Sequence, residues 1–230
     1  MSKAIYNPAL ANIEELSETS ATFFIEPLHA GYGNTLGNSL RRVWRSSIRG
    51  GAIVSLRVQG ATHEFTTIPG VKEDVVDIML NLKGVRLLVH TDEPVELRLE
   101  HKGAGVITAG EIQTTADVEV VNHDHVIATV DDPKASVLFD LVVEAGRGYR
   151  SIEDSSDERL HSDMIALDAI FNPVLRVRFK VDNTRVGQET DLDKLTLTID
   201  TDGTLTPREA FEEAAAILVN QYTALAGSTT

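Results

Sequence analysis

The sequence predicts an α+β fold. Three observations carry that prediction: an amphipathic helical pattern after a glycine-rich turn at Gly31–Ser47, a second one near the C-terminal end, and between them a succession of short β-like runs broken by Gly, Pro, Asn and Asp. At 230 residues the chain can bury a substantial core, as one large domain or two smaller ones.

A weakly patterned lead-in, Ile5–Ile25, ends in the β-rich run Thr22–Ile25, and the Glu26-Pro27 step is expected to close that strand. The helix at Gly31–Ser47 follows. At about 100° per residue, Leu36, Leu40, Val43 and Trp44 share one apolar stripe, while Asn38, Arg41, Arg42 and Arg45 face away from it. No acidic residue lies between Gly31 and Gly50, so these arginines have no partner within their own helix.

Gly50-Gly51 is expected to break the helix, and Ala52–Val58 alternates as a strand. Pro69-Gly70 makes His63–Val71 a loop. Within Lys72–Lys83, Val75, Ile78, Met79 and Leu82 recur at helical spacing; Glu73 and Asp74 suit the positive end of the dipole, Lys83 the negative end and Gly84 the stop. Short β-runs at Val85–His90, Val95–Leu99, Val118–Val121, His125–Val130 and Ser136–Val143 fit a mixed or antiparallel sheet. Gly146-Arg147-Gly148-Tyr149 opens a polar stretch, Arg150–Asp163, expected as a surface loop. Strands are expected at Val174–Val181 and Leu195–Thr201.

Thr206-Pro207-Arg208-Glu209 combines an N-cap, proline at the first helical position and glutamate three residues after the cap, which starts a helix reaching about Leu225. Phe211, Ala215, Leu218, Tyr222 and Leu225 lie on one face of it, and small Ala214 beside them lets another helix approach closely. The tail from Gly227 is expected to fray.

Composition removes several function classes. Without cysteine there are no disulfides, thiol catalysis or cysteine-ligated metal sites. A net charge of -14 argues against broad electrostatic binding to nucleic acid by this chain alone. No apolar run is long enough to span a bilayer, and Met1–Leu10 lacks the basic-then-apolar order of a signal peptide, so the chain reads as cytoplasmic, with no membrane partner.

Gly31, Gly33 and Gly37, between a strand and a helix, suggest a phosphate cradle. The third glycine falls one position late for a dinucleotide fingerprint, and Ala52–Val58 ends without an acid for a ribose hydroxyl. Asn122-His123-Asp124-His125 offers metal-ligand types but no clear third ligand, and reads as a surface turn. The acids Glu153, Asp154, Asp157 and Glu158 read as a solvated connection rather than a cation site. His63-Glu64 has no nearby nucleophile and reads as a contact loop. The unpartnered arginine face, with Trp44 on the same helix, is best read as part of an interaction surface.

Long stretches of the sequence resemble the N-terminal region of the alpha subunit of bacterial RNA polymerase. The resemblance rests on Glu26-Pro27-Leu28 through Gly31-Tyr32-Gly33-Asn34-Thr35-Leu36-Gly37-Asn38-Ser39-Leu40-Arg41-Arg42, on Ser46-Ser47, on His63-Glu64-Phe65 through Asp74, and on Leu80–Gly84. It continues through Gly146–Tyr149, Asp168–Val174, Arg185–Gln188, Thr190–Leu195 and Thr201–Pro207. The resemblance implies a discontinuous dimerisation domain of helices on a sheet, residues 1–48 with 171–230, and an inserted, mostly β, beta-subunit-binding domain, residues 49–170. It implies a homodimer joined through Leu36, Leu40, Val43, Trp44, Phe211, Leu218 and Tyr222. It further implies a non-catalytic scaffold, with no cofactor or metal, that nucleates the beta and beta-prime subunits.

Carried over by position, Arg42 and Lys83 engage the large subunits, with Arg41, Arg45, His63 and Glu64 as neighbours. Trp44 and Arg45 stand where the family usually has aliphatic residues. Full-length members continue to a C-terminal DNA-binding domain, so no direct DNA contact is expected from this chain. Two other readings stay open: a nucleotide-binding enzyme using the Gly31–Gly37 turn, and a free-standing dimeric regulator.

Overall fold

The computed structural model describes residues 8–61, 63–155 and 164–227. In chain order they form β1 (Leu10–Ser17), β2 (Ser20–Leu28), α1 (Tyr32–Ser46) and β3 (Arg49–Val58). Next come α2 (Val75–Leu82), β4 (Leu87–Val89), β5 (Val95–Lys102), β6 (Gly105–Thr108), β7 (Val118–Val120) and β8 (Val126–Val130). The long β9 (Ser136–Arg147) leads to the two-residue strands β10 (Tyr149–Arg150), β11 (Ile165–Ala166) and β12 (Ala169–Ile170). A hairpin of β13 (Val174–Val186) and β14 (Glu189–Thr201) then hands the chain to α3 (Pro207–Gly227). The class is α+β, mostly strand, and no helix among the described residues is long and apolar enough to cross a membrane.

Two compact units divide the chain, one from residues up to Ile48 together with those from Asn172 onward, the other spanning Arg49–Phe171. The first contains an antiparallel sheet in the order β1-β2-β14-β13. Strand alternation sends Phe23 and Ile25 of β2, Leu195, Leu197 and Ile199 of β14, and Val177, Phe179 and Val181 of β13 toward the same core. Leu40, Trp44 and Ile48 from α1 and its exit, and Ala210 and Ala214 of α3, close that core.

The second unit is built on a sheet ordered β5-β9-β3-β4-β7, with β11 added to β3. The two-stranded pairs β6-β8 and β10-β12 accompany it. Its core packs Leu56 and Val58 of β3, Phe139 and Leu141 of β9, Leu97 and Leu99 of β5, and Ile78 and Leu82 of α2.

Several boundaries differ from expectation for identifiable reasons. The Glu26-Pro27 bond, cis here, does not end β2: Glu26 N donates to Ala9 O at 3.0 Å, and pairing resumes with Leu28 opposite Asp193. Gly50-Gly51 lies inside β3 instead of breaking the helix. A Cβ at Gly51 would fall 2.8 Å from Leu87 O, so the glycine permits the close approach of β4.

α2 spans its apolar residues but not the whole expected Lys72–Lys83 stretch, because Asp74 caps it, accepting from Asp77 N at 2.8 Å. Glu73 therefore falls outside the helix and instead accepts from Thr129 N at 2.7 Å. The β6 strand and the far halves of the β13–β14 hairpin escaped the sequence pattern. Positive φ at Gly187 makes the hairpin turn.

The capping box at α3 is present, with Thr206 N donating to Glu209 Oε2 at 3.0 Å and Glu209 N to Thr206 Oγ1 at 3.2 Å. Of the expected Arg150–Asp163 loop, residues through Ser155 are described. Asp157, Glu158 and the rest, like Ile5 and the tail beyond Gly227, lie outside the described residues.

Candidate functional site

The α1 helix opens at Gly31, whose φ of 88° is comfortable only for glycine, and its first turn holds no acid and no capping side chain of its own. Its positive end is met from a distant strand. The amides of Gly31 and Gly33 both donate to Asp193 Oδ2, each at 2.9 Å. Asp193 is buried on β14. The neighbouring glycines let the helix sit down on β13: a Cβ at Gly33 would lie 2.7 Å from Val181, and one at Gly37 would lie 2.8 Å from the Phe179 ring. The nucleotide reading of the Gly31–Gly37 turn is thereby corrected, because a carboxylate of the chain itself occupies the amides that would cradle phosphate.

The apolar stripe of α1 faces the chain's own sheet and α3. Trp44 is 0% exposed, its Nε1 donates to Ala210 O at 2.8 Å, and Leu40 is buried beside it. Both were expected at a dimer interface and belong instead to this core, because the inner sheet face and α3 already supply their apolar neighbours. Leu36, Val43 and Leu218 are partly buried against the same cluster. Phe211 stacks on Phe23 with ring centroids 4.7 Å apart. Of the expected interface set, Tyr222 alone is exposed, at 58%. Val219 at 62% and Leu225 at 67% extend its exposed surface along α3.

The other face of α1 is cationic. Arg41, Arg42 and Arg45 are exposed, and their guanidinium groups have no hydrogen bond or ion pair among the described residues. The helix end that carries them is fixed: Ser47 N donates to Val43 O at 2.8 Å, and Asn172 Nδ2 to Arg45 O at 3.4 Å.

Lys83, His63 and Glu64 lie on the second unit. Lys83 ends α2 and is not a free cation: it pairs with Asp168, which also accepts from Tyr149 Oη at 3.3 Å. The sequence reading missed Asp168, 85 residues away in the chain. Lys83's hydrogen bond holds the Asp168 carboxyl below its usual range, against the opposing effect of burial. Stability from this pair is thus fully present above the ordinary aspartate pKa, about 3.9, and is lost as pH falls through the depressed folded value. Asp168→Asn is expected to lower stability at neutral pH and to flatten the loss of melting temperature below about pH 4; an acid limb as steep as wild type would count against the linkage.

His63 shares a hydrogen bond with Thr66, Nδ1 to Oγ1 at 3.0 Å, instead of pairing with Glu64. Between those two residues, Phe65 is 80% exposed, an apolar side chain that sequence reasoning passed over. Asn122 and His125, weighed as metal ligands, close the end of α2. Asn122 Nδ2 donates to Gly84 O at 2.9 Å, and His125 Nε2 to Asn81 O at 2.8 Å.

A cationic helix face seated on a sheet, with apolar side chains left open on the neighbouring α3, has the make-up of a protein-contact surface. Comparison with known proteins narrows the class. The family described as RNA polymerase Rpb3/RpoA insert domain matches residues 54–172. DNA-directed RNA polymerase subunit alpha of Moorella thermoacetica is 47% identical over 217 residues, covering 94% of this chain and 69% of that protein. The subunit of the same name from Desulfitobacterium hafniense is 46% identical over 226 residues, covering 98% of this chain and 71% of its own. The one from Geobacter metallireducens is 48% identical over 208 residues, covering 90% and 61%. The chain belongs to the family of bacterial DNA-directed RNA polymerase alpha subunits and corresponds to the N-terminal region of its members.

Proposed function

We propose that this chain is the assembly scaffold of a bacterial RNA polymerase: it forms a homodimer, and the dimer nucleates the beta and beta-prime subunits, in which the nucleotidyl transfer takes place. The unit containing α1 and α3 is the dimerisation domain, and the Arg49–Phe171 unit is the inserted beta-binding domain. Dimer contact runs through Leu218, Val219, Tyr222 and Leu225 of α3, with Leu36, Val43 and Phe211 contributing their partly exposed edges. Large-subunit capture runs through Arg41, Arg42 and Arg45, and on the inserted unit through His63, Glu64 and the paired Lys83.

The observation that carries this reading is the set of guanidinium groups on a fixed helix with no carboxylate among the described residues to satisfy them. Unpaired arginines held on a rigid element are suited to carboxylates of a partner, because the planar fork loses little freedom on binding.

Arg42→Ala tests it. The expected variant keeps wild-type circular dichroism and sedimentation, yet captures beta in a pull-down with roughly tenfold or greater loss of affinity, the scale of a charge-assisted contact removed. Undiminished capture of beta would reject the assignment.

A further inference from the structure

We infer that Asp193 is a positioning residue: from an inner strand of its sheet it holds the N-terminus of α1, and through that helix it sets where the arginine face is presented. The inference rests on the proposed role of Arg41, Arg42 and Arg45 in capturing the large subunits.

The first amides of any helix lack intrahelical partners, and an end left uncapped frays. α1 has no capping side chain at Gly31 and no acid in its first turn. Asp193 supplies both missing functions, an acceptor for two orphan amides and a negative charge at the positive end of the dipole. The arrangement is specific to this side chain. A carboxylate this deeply buried is costly without a counter-charge. Asp193 has no ion pair among the described residues; its neighbour Lys194 turns to Glu26 instead, at 3.2 Å. The helix amides are therefore what compensates Asp193.

β14 lies inside the sheet, between β2 and β13, so the latch is anchored in an element hydrogen-bonded on both sides. Gly33, whose amide is held, also packs against Val181 of β13. Arg42 follows nine residues later, roughly 14 Å along the axis at 1.5 Å per residue. A change of tilt at the latched end moves the guanidinium groups relative to the sheet.

The test is Asp193→Ala in the full chain, with capture of beta as the readout and dimerisation and circular dichroism as controls. Capture is expected to weaken roughly tenfold while the dimer persists, two charge-assisted hydrogen bonds being lost. Added formate, a carboxylate small enough for the vacated place, is expected to restore most of the capture. Formate should do nothing for wild type or for Arg42→Ala. Capture equal to wild type, or a loss that formate does not repair, overturns the inference. Should Asp193→Ala fail to fold, amide exchange on the wild type decides: Gly31 and Gly33 are expected to be protected although they begin a helix, and exchange at the solvent rate overturns the latch. If Arg42→Ala leaves capture intact while these amides are protected, the reading of the arginine face fails and the latch stands as a structural cap.

Discussion

Trp44→Ala is expected to destabilise the chain by about 3–5 kcal/mol, the range for removing a buried large aromatic side chain. The indole is completely enclosed and sits at the meeting point of α1, α3 and the sheet. Its loss opens a cavity beside Phe211, whose ring centroid lies 6.1 Å away, and removes the Nε1 hydrogen bond to Ala210 O. Against a typical domain stability of about 5–15 kcal/mol, that loss is large enough to leave a marginal fold. Trp44→Phe separates the two contributions: it keeps most of the apolar volume but not the donor, and should cost only about 1–2 kcal/mol. Because Trp44 is the sole tryptophan, unfolding in urea is followed by circular dichroism instead of indole fluorescence. A midpoint for Trp44→Ala within error of wild type would remove Trp44 from the core.

The same residue shows where sequence reasoning stops. The 3.6-residue period correctly separated the stripe of Leu36, Leu40, Val43 and Trp44 from the arginine face, because that separation is a property of the helix alone. What covers the stripe is a tertiary matter, and the inner face of the sheet covers it before any second copy can. Local signals were legible for the same reason: the Thr206–Glu209 box spans only a few residues of chain. Asp193 and Asp168 were not legible, since their partners lie 160 and 85 residues away and an acid on a strand carries no mark of what it will meet. The glycine turn suffered most from this. Its spacing already departed from a phosphate-binding fingerprint, and the position of Asp193 shows what its amides hold instead.

Helix α3 carries the remaining large effect. Its buried residues, Pro207, Ala210 and Ala214, all lie in its first half, while Val219, Tyr222 and Leu225 leave an exposed apolar stripe on the second. In proteins most helical stability comes from packing an apolar face, so a surface that covers this half would stabilise it. In an isologous pair each of these side chains is buried twice, once per copy, and full burial of one is worth about 1.5–3 kcal/mol. Tyr222→Glu places a charge in the middle of that stripe on both copies, so that two like charges are desolvated together. The dimer dissociation constant is expected to rise by about a hundredfold or more, equivalent to about 2.7 kcal/mol. Circular dichroism should stay near wild type, because Tyr222 does not touch the core. Sedimentation over a concentration series reads the change directly. A Tyr222→Glu chain that sediments as the wild-type dimer would move the interface away from α3, and a monomeric wild type at micromolar concentration would remove the dimer itself.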